Sequence, residues 1–145
     1  MTEPPTAPST LRRAFTGAPW ESKVGYCRAL RAGPHVWVTG TVAVTPTGEV
    51  HAPGDARAQT RRALEIIDKA LAEVGAALTD VVRTRMFVTD ISRWEEYGRA
   101  HNEALGHIRP VCTMVEVSRL IDPAMMVEVE VEALVTTGGW RWVEG

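Results

Sequence analysis

A chain of 145 residues is one domain's worth and long enough to bury a real core. Sixteen Lys plus Arg against eighteen Asp plus Glu leave a net charge of −2, which argues against a nucleic-acid partner or a membrane surface. Two cysteines, Cys27 and Cys112, are too few for a disulfide framework and lack metal-ligand spacing, which fits a reducing compartment; no metal and no cofactor are expected.

Met1 to Thr10 carries three prolines and no apolar period, so residues 1–10 are expected to be a flexible tail. It has no basic region leading into an apolar run, and no stretch approaches membrane-spanning length, so a cytoplasmic protein without a membrane partner is expected. Residues 11–136 read as a single domain. Leu11 to Glu21 is mixed, with Phe15 and Trp20 available to pack and Gly17 and Pro19 marking turns. Tyr26 to Leu30 and His35 to Thr41 read as a hairpin around Arg31-Ala32-Gly33-Pro34. Gly40 shares a side with Val36 and Val38; its missing side chain either lets a backbone or ligand come close or marks a bulge or crowded packing.

The clearest helix follows Pro53-Gly54. Asp55 can cap it, Leu64, Ile67, Leu71 and Val74 form one stripe, and Gly75 ends it. Val81 to Val88 is the next strand, with Val82, Met86 and Val88 on one side and Arg83, Arg85 and Phe87 on the other. Ser92-Arg93-Trp94-Glu95 has the pattern of a capping box, opening a second helix that runs to about Leu105 with Trp94, Tyr97, His101 and Leu105 on one stripe. His101 reads as a packed histidine, because no second His, Cys or carboxylate lies one helical turn away.

Arg109 to Val135 then forms two strand-like runs joined by a short turn. In the second run Val127, Val129, Val131, Ala133 and Val135 alternate strictly with Glu128, Glu130 and Glu132. In the first, Val111, Thr113, Val115 and Val117 alternate with Cys112, Met114 and Glu116. The expected functional face is the one bearing the thiol, the thioether and the carboxylates. Arg83 and Arg85 are expected on it too, since arginines on a strand seldom face a helix and cross-strand charges offset each other. Gly138-Gly139 marks the end of the fold, and residues 137–145 are a tail whose Trp140 and Trp142 are expected to dock on a surface.

The order strands, helix, strand, helix, two strands suggests an α+β layer fold, two helices covering one face of a mixed sheet of about six strands. The uncovered face, with Met114, Phe87, Trp37 and Leu134 among its charges, is too apolar to stay wholly in water, so association through it or its edges is expected, with ligand pockets where subunits meet.

Several runs carry a family resemblance: W-V-T-G-T-V-A-V, the helix Q-T-R-R-A-L-E-I-I-D-K-A-L, V-V-R-T-R-M-F-V-T-D-I, and R-P-V-C-T-M-V-E-V-S-R-L followed by V-E-V-E-V-E-A. From about Tyr26 to Val135 they resemble the Rid proteins, also called the YjgF or L-PSP endoribonuclease family. The resemblance implies a chorismate-mutase-like fold, a homotrimer with a central barrel, and three ligand clefts between subunits. It also implies a small-molecule metabolite as ligand and hydrolysis of reactive enamines and imines to a 2-keto acid and ammonia. Tyr26 stands where a cleft-lining tyrosine is expected. Gly40, fourteen residues on, stands for the glycine whose backbone contacts ligand or water. The glutamate that helps position the attacking water falls on Glu128, or on Glu130 if the gap in the preceding turn is placed differently.

One position departs from that pattern. Deaminating Rid proteins carry an arginine in R-S-C-V-E-V that pairs with the substrate carboxylate. Aligned on V-E-V, this chain has Cys112-Thr113-Met114, so Cys112 replaces the arginine, and Arg109, three residues early and beyond Pro110, does not stand in for it. A neutral thiol forgoes a charge-assisted contact worth about 2–3 kcal/mol. The helix position often held by Asn is Gly98 here. Three readings stay open: Arg85 or Arg83 takes over as anion anchor for another substrate, Cys112 is itself a nucleophile, or the fold is a non-catalytic metabolite-binding or chaperone-like trimer. Ribonuclease activity has no support, for there is neither a His pair for acid-base cleavage nor a basic groove with interleaved aromatics.

Overall fold

The computed structural model describes residues 10–139, 141 and 143–145. Residues 1–9 of the expected N-terminal tail, and Trp140 and Trp142 of the C-terminal one, lie outside the described residues.

Strict Val/Glu alternation makes β6 (Val127–Leu134) the middle of the molecule: its valines are buried, and strands flank it on both sides. It runs antiparallel to β3 (His35–Val42) on one side and to β4 (Val81–Val88) on the other. Beyond β3 lie β2 (Ala29–Ala32) and the edge strand β1 (Leu11–Ala14). Beyond β4 lies the opposite edge, β5 (Val111–Glu116), parallel to β4. β2 and β3 form the expected hairpin through a two-residue turn, with Ala32 opposite His35; Gly33 takes a φ of 58°, which a side chain would oppose.

The covered face holds Val36, Val38, Met86, Val88, Val127, Val129 and Val131, and two helices pack over it. Helix α2 (Ala56–Glu73) crosses β3 and β6 with Ile67 and Leu71 fully buried, and α3 (Trp94–Leu105) lies beside it. Burying an Ile or Leu side chain stabilises by about 1.5–3 kcal/mol, so this stripe is a principal source of stability. Asp55 caps α2, its Oδ1 accepting from the Ala58 amide at 2.9 Å. At the other end Gly75 turns the chain at φ 75°, and Arg31 donates to the carbonyls of Val74 and Gly75. Buried Gln59 ties α2 to the turn before β6, donating to the Ala124 carbonyl and accepting from the Met126 amide, both at 2.8 Å.

Five expectations need correction. The strand expected from Tyr26 begins at Ala29, and the mixed stretch before it folds into β1 and a short helix, α1 (Pro19–Val24). Val81, not Val82, enters the core, because a bulge between Val81 and Arg83 shifts the alternation. The Ser92/Glu95 capping box does not form: Asp90 accepts from the Ser92 amide and hydroxyl and caps a 3-10 turn over Ile91–Arg93 that leads into α3. Trp94 leaves the buried stripe of α3 and is exposed, while Tyr97 and Leu105 are buried as expected. Finally, Cys112, Met114 and Glu116 do not share a face with Glu128, Glu130 and Glu132. β5 pairs with β4, not with β6, and its register sets Cys112 beside Thr84 and Met114 beside Met86 on the helix-covered side. Thr113 and Val115 stand beside Arg85 and Phe87 on the bare side. The bare face therefore carries Trp37, Arg83, Arg85, Phe87, Leu134 and the three glutamates, without Met114.

Candidate functional site

The bare face of β3 and β6 is shaped by a bulge. Val38 faces Val131 and Thr41 faces Val129, so two residues of β3, Thr39 and Gly40, stand against one on β6. The Glu128 side chain lies over Gly40: a Cβ built there would come within 2.9 Å of the Glu128 Cδ. The reading of a bulge with crowded packing is the one seen, and the bulge turns Gly40 away from the side of Val36 and Val38 toward the Glu128 side chain.

Beneath this point sits Arg28, a residue that the sequence reading passed over. Its Nη1 donates to the Gly40 carbonyl at 3.0 Å and to the Thr41 hydroxyl at 3.2 Å, and its Nη2 lies 3.5 Å from the Tyr26 hydroxyl. The guanidinium also lies 5.5 Å from the centre of the Tyr26 ring. Glu21 on α1 supplies the counter-charge, 3.3 Å from Arg28 Nε. Glu21 is held in place by the Thr16 amide and hydroxyl and the Gly17 amide. Burial on its own would raise the Glu21 pKa, but these hydrogen bonds and the Arg28 charge outweigh it and hold the carboxyl below its ordinary range. The one available signal was an unexplained basic residue two positions after Tyr26.

Glu128 behaves in the opposite way. Burial pushes its pKa up, the Arg28 charge pulls it partly back, and Glu130 adds to the rise. Among the described residues Glu128 forms no ion pair. Glu130, the fallback for its role, is bound by Arg85 at 2.9 Å. Arg85 also reaches Glu132 at 3.1 Å, and Arg83 reaches Glu132 at 3.5 Å. As an anion anchor, Arg85 would have to leave two carboxylates.

An open cavity of about 600 Å³ lies on the same side, lined by Phe15, Tyr26, Leu30, Trp37, Arg85 and Glu130 among others. Tyr26 and Arg85 line this cavity, whereas Gly40 and Glu128 lie against each other outside its lining. Thr113 shares the bare face at the far edge, while Cys112 and Met114 point to the other side. Glu128 and β5 are two strands apart, roughly 10 Å across the sheet, so one chain does not bring Cys112, Thr113 and Met114 to Glu128. Among the described residues no group of three or more His, Cys, Asp or Glu could hold a metal ion, and no helix is long and apolar enough to cross a membrane. His101 is packed as expected, with Nε2 2.8 Å from the Thr84 hydroxyl; burial lowers its pKa.

A six-stranded mixed sheet, backed by helices on one side and bearing a carboxylate, a tyrosine and a glycine bulge on the other, defines a two-layer α+β domain with an open cavity on its uncovered face. The family model described as Endoribonuclease L-PSP matches residues 16–135, and the chain belongs to this family, the Rid or YjgF proteins. It is similar to an uncharacterized protein of Streptomyces coelicolor, 39% identical over 124 residues, 85% of this chain and 91% of the relative. It is also similar to the 3-aminoacrylate deaminase RutC of Acinetobacter baylyi, 31% identical over 104 residues, 72% of this chain and 82% of the relative. Among solved structures, Rv2704 of Mycobacterium tuberculosis, a YjgF/YER057c/UK114 family member, superposes with a TM-score of 0.80 at 49% identity, covering 87% of this chain and 100% of that one. The expected family and fold are those found.

Proposed function

We propose that this protein hydrolyses an imine, an enamine or a related carbonyl-derived metabolite, acting as a homotrimer with its clefts between subunits. The observation that supports this reading is that Tyr26 and Gly40 both meet Arg28 while Glu128 lies over Gly40, partly buried and free of an ion pair among the described residues. The Acinetobacter baylyi relative is named for deaminating 3-aminoacrylate, itself an enamine.

In this mechanism Glu128 accepts a proton as water adds to the carbon of the C=N bond. The nitrogen takes up protons, the carbinolamine collapses to a carbonyl, and ammonia leaves, so one water is consumed for each ammonia released. A carboxylate whose basicity is raised by burial suits this role better than an exposed one. The remainder of the cleft comes from β5 of a neighbouring subunit, whose edge is open and whose Val111 and Val115 are exposed. Because Cys112 offers no positive charge, simple 2-imino acids are poor substrates.

The test offers imines, generated from several amino acids by an amino-acid oxidase, to wild type and to Cys112→Arg. Wild type is expected to hydrolyse 2-iminopropionate poorly, and the arginine to raise that rate about tenfold or more. If neither protein hydrolyses any imine, the hydrolase reading fails and the non-catalytic metabolite-binding trimer takes its place.

A further inference from the structure

We infer that Arg28 is the positioning residue of the cleft: its guanidinium holds the Gly40 peptide, reaches the Tyr26 hydroxyl, and sets a positive charge beside the peptide over which Glu128 lies. The inference rests on Tyr26, Gly40 and Glu128 forming the cleft, as proposed above. A buried guanidinium kept only for stability would be neutralised by Glu21 and could spend its other donors on any nearby carbonyl. Here, apart from Thr41, the groups it reaches beyond Glu21 belong to the cleft: the Gly40 carbonyl at 3.0 Å and the Tyr26 hydroxyl at 3.5 Å. The planar fork makes this possible, since donors on Nε, Nη1 and Nη2 diverge toward three elements at once. Lysine has the charge but not the fork.

The charges around Glu128 are few. Arg28 approaches from the segment before β2, with Glu21 of α1 behind it. Glu130 follows on the same strand and is paired with Arg85 of β4, which also holds Glu132. On β3 the neighbours are Gly40 and Val42, and on β4 Phe87, none of them charged. Arg28 is therefore the main positive influence on a carboxylate whose pKa burial raises, and its charge extends the pH range in which Glu128 can accept a proton from water.

The test reads Glu128 directly. The side-chain carboxyl carbon is followed by NMR against pH in the full chain without ligand, its signal assigned by its loss in Glu128→Gln. In Arg28→Gln the titration midpoint is expected to move up by about one pH unit, whereas Arg28→Lys stays near wild type. Glu21→Gln removes the counter-charge, so its midpoint moves down. A general loosening of the site would shift the Arg28→Gln and Glu21→Gln midpoints in the same direction, whereas the charge assignment requires opposite directions. If Arg28→Gln does not fold, Glu21→Gln and Arg28→Lys decide: a Glu21→Gln midpoint that is unchanged or raised, or an Arg28→Lys midpoint raised by a full unit, overturns the inference. So does an unmoved midpoint in folded Arg28→Gln. Because no substrate enters the measurement, a protein silent on every imine can still show these shifts. Normal imine turnover without them would keep the hydrolase and remove Arg28 from its role.

Discussion

On the β2–β3–β6 side of the sheet, Arg28 is 7% exposed and reaches Glu21, Gly40, Thr41 and Tyr26. On the β4–β5 side, Arg85 stands in the open between Glu130 and Glu132, and β5 beyond it is exposed along most of its length. Both arginines pair with glutamate, yet only the first is built into its surroundings. The first side is tied together within the chain and the second ends in an open edge. The proposed cleft between copies would draw on this asymmetry, with Arg28 held by partners of its own chain and β5 accessible to a neighbour.

The largest expected effect would break this contrast or confirm it. Removing Arg28 leaves Glu21 buried and unpaired, so Arg28→Met is expected to cost about 3–5 kcal/mol in denaturant unfolding. Arg85→Met, at half-exposed pairs, is expected to cost less, about 1 kcal/mol. Equal losses would mean that the two sides are built alike.

A smaller effect sharpens the finished half. A Cβ at Gly40 meets the end of the flexible Glu128 side chain, so Gly40→Ala is expected to cost only about 1 kcal/mol. Turnover of the best imine is expected to fall about tenfold or more, because the carboxylate moves. In a Glu128→Ala background the stability cost of Gly40→Ala should vanish; an undiminished cost there would show that Glu128 is not the neighbour that resists the methyl group.

The smallest effects are in pH dependence, and the two carboxylates near Arg28 should differ in sign. The folded state raises the Glu128 pKa, so its contribution to stability is full below the unfolded carboxylate range and is lost as pH rises through the folded midpoint. Glu128→Gln is then expected to melt higher than wild type at about pH 7, the gap closing toward about pH 4. The folded state lowers the Glu21 pKa, so its contribution is present above the unfolded range and is lost as pH falls through the depressed midpoint. Glu21→Gln is expected to melt lower than wild type at about pH 7, with the gap narrowing on acidification. Thermal melts across that range check both, and gaps of the same sign would contradict the assignment.

The legible parts of the molecule are those governed by local periodicity. The α2 stripe and its caps and the Val/Glu alternation of β6 depend on neighbours a few residues away, and the structure has them where expected; the β2–β3 hairpin forms too, though its first strand begins at Ala29. The face of Cys112 depends on which strand lies next to β5. Two consecutive runs suggested a pair, but β4 inserts between them, and a parallel register fixed some thirty residues away decides the face. The same limit hid Arg28. Its partners Gly40 and Thr41 lie across the hairpin, and Glu21 sits on a six-residue helix with no apolar period to announce it. Tyr26, Gly40 and Glu128 were reached through family resemblance, and of these the structure sets Glu128 over Gly40 and both Tyr26 and Gly40 against Arg28.

The most direct measurement compares imine turnover by wild type and by Glu128→Gln, with the oligomeric state of both determined alongside. The expected result is a loss of at least about a hundredfold in kcat in an assembly of unchanged size. Undiminished turnover by Glu128→Gln would contradict the placing of the water-activating carboxylate at Glu128, and with it the reading of this cleft.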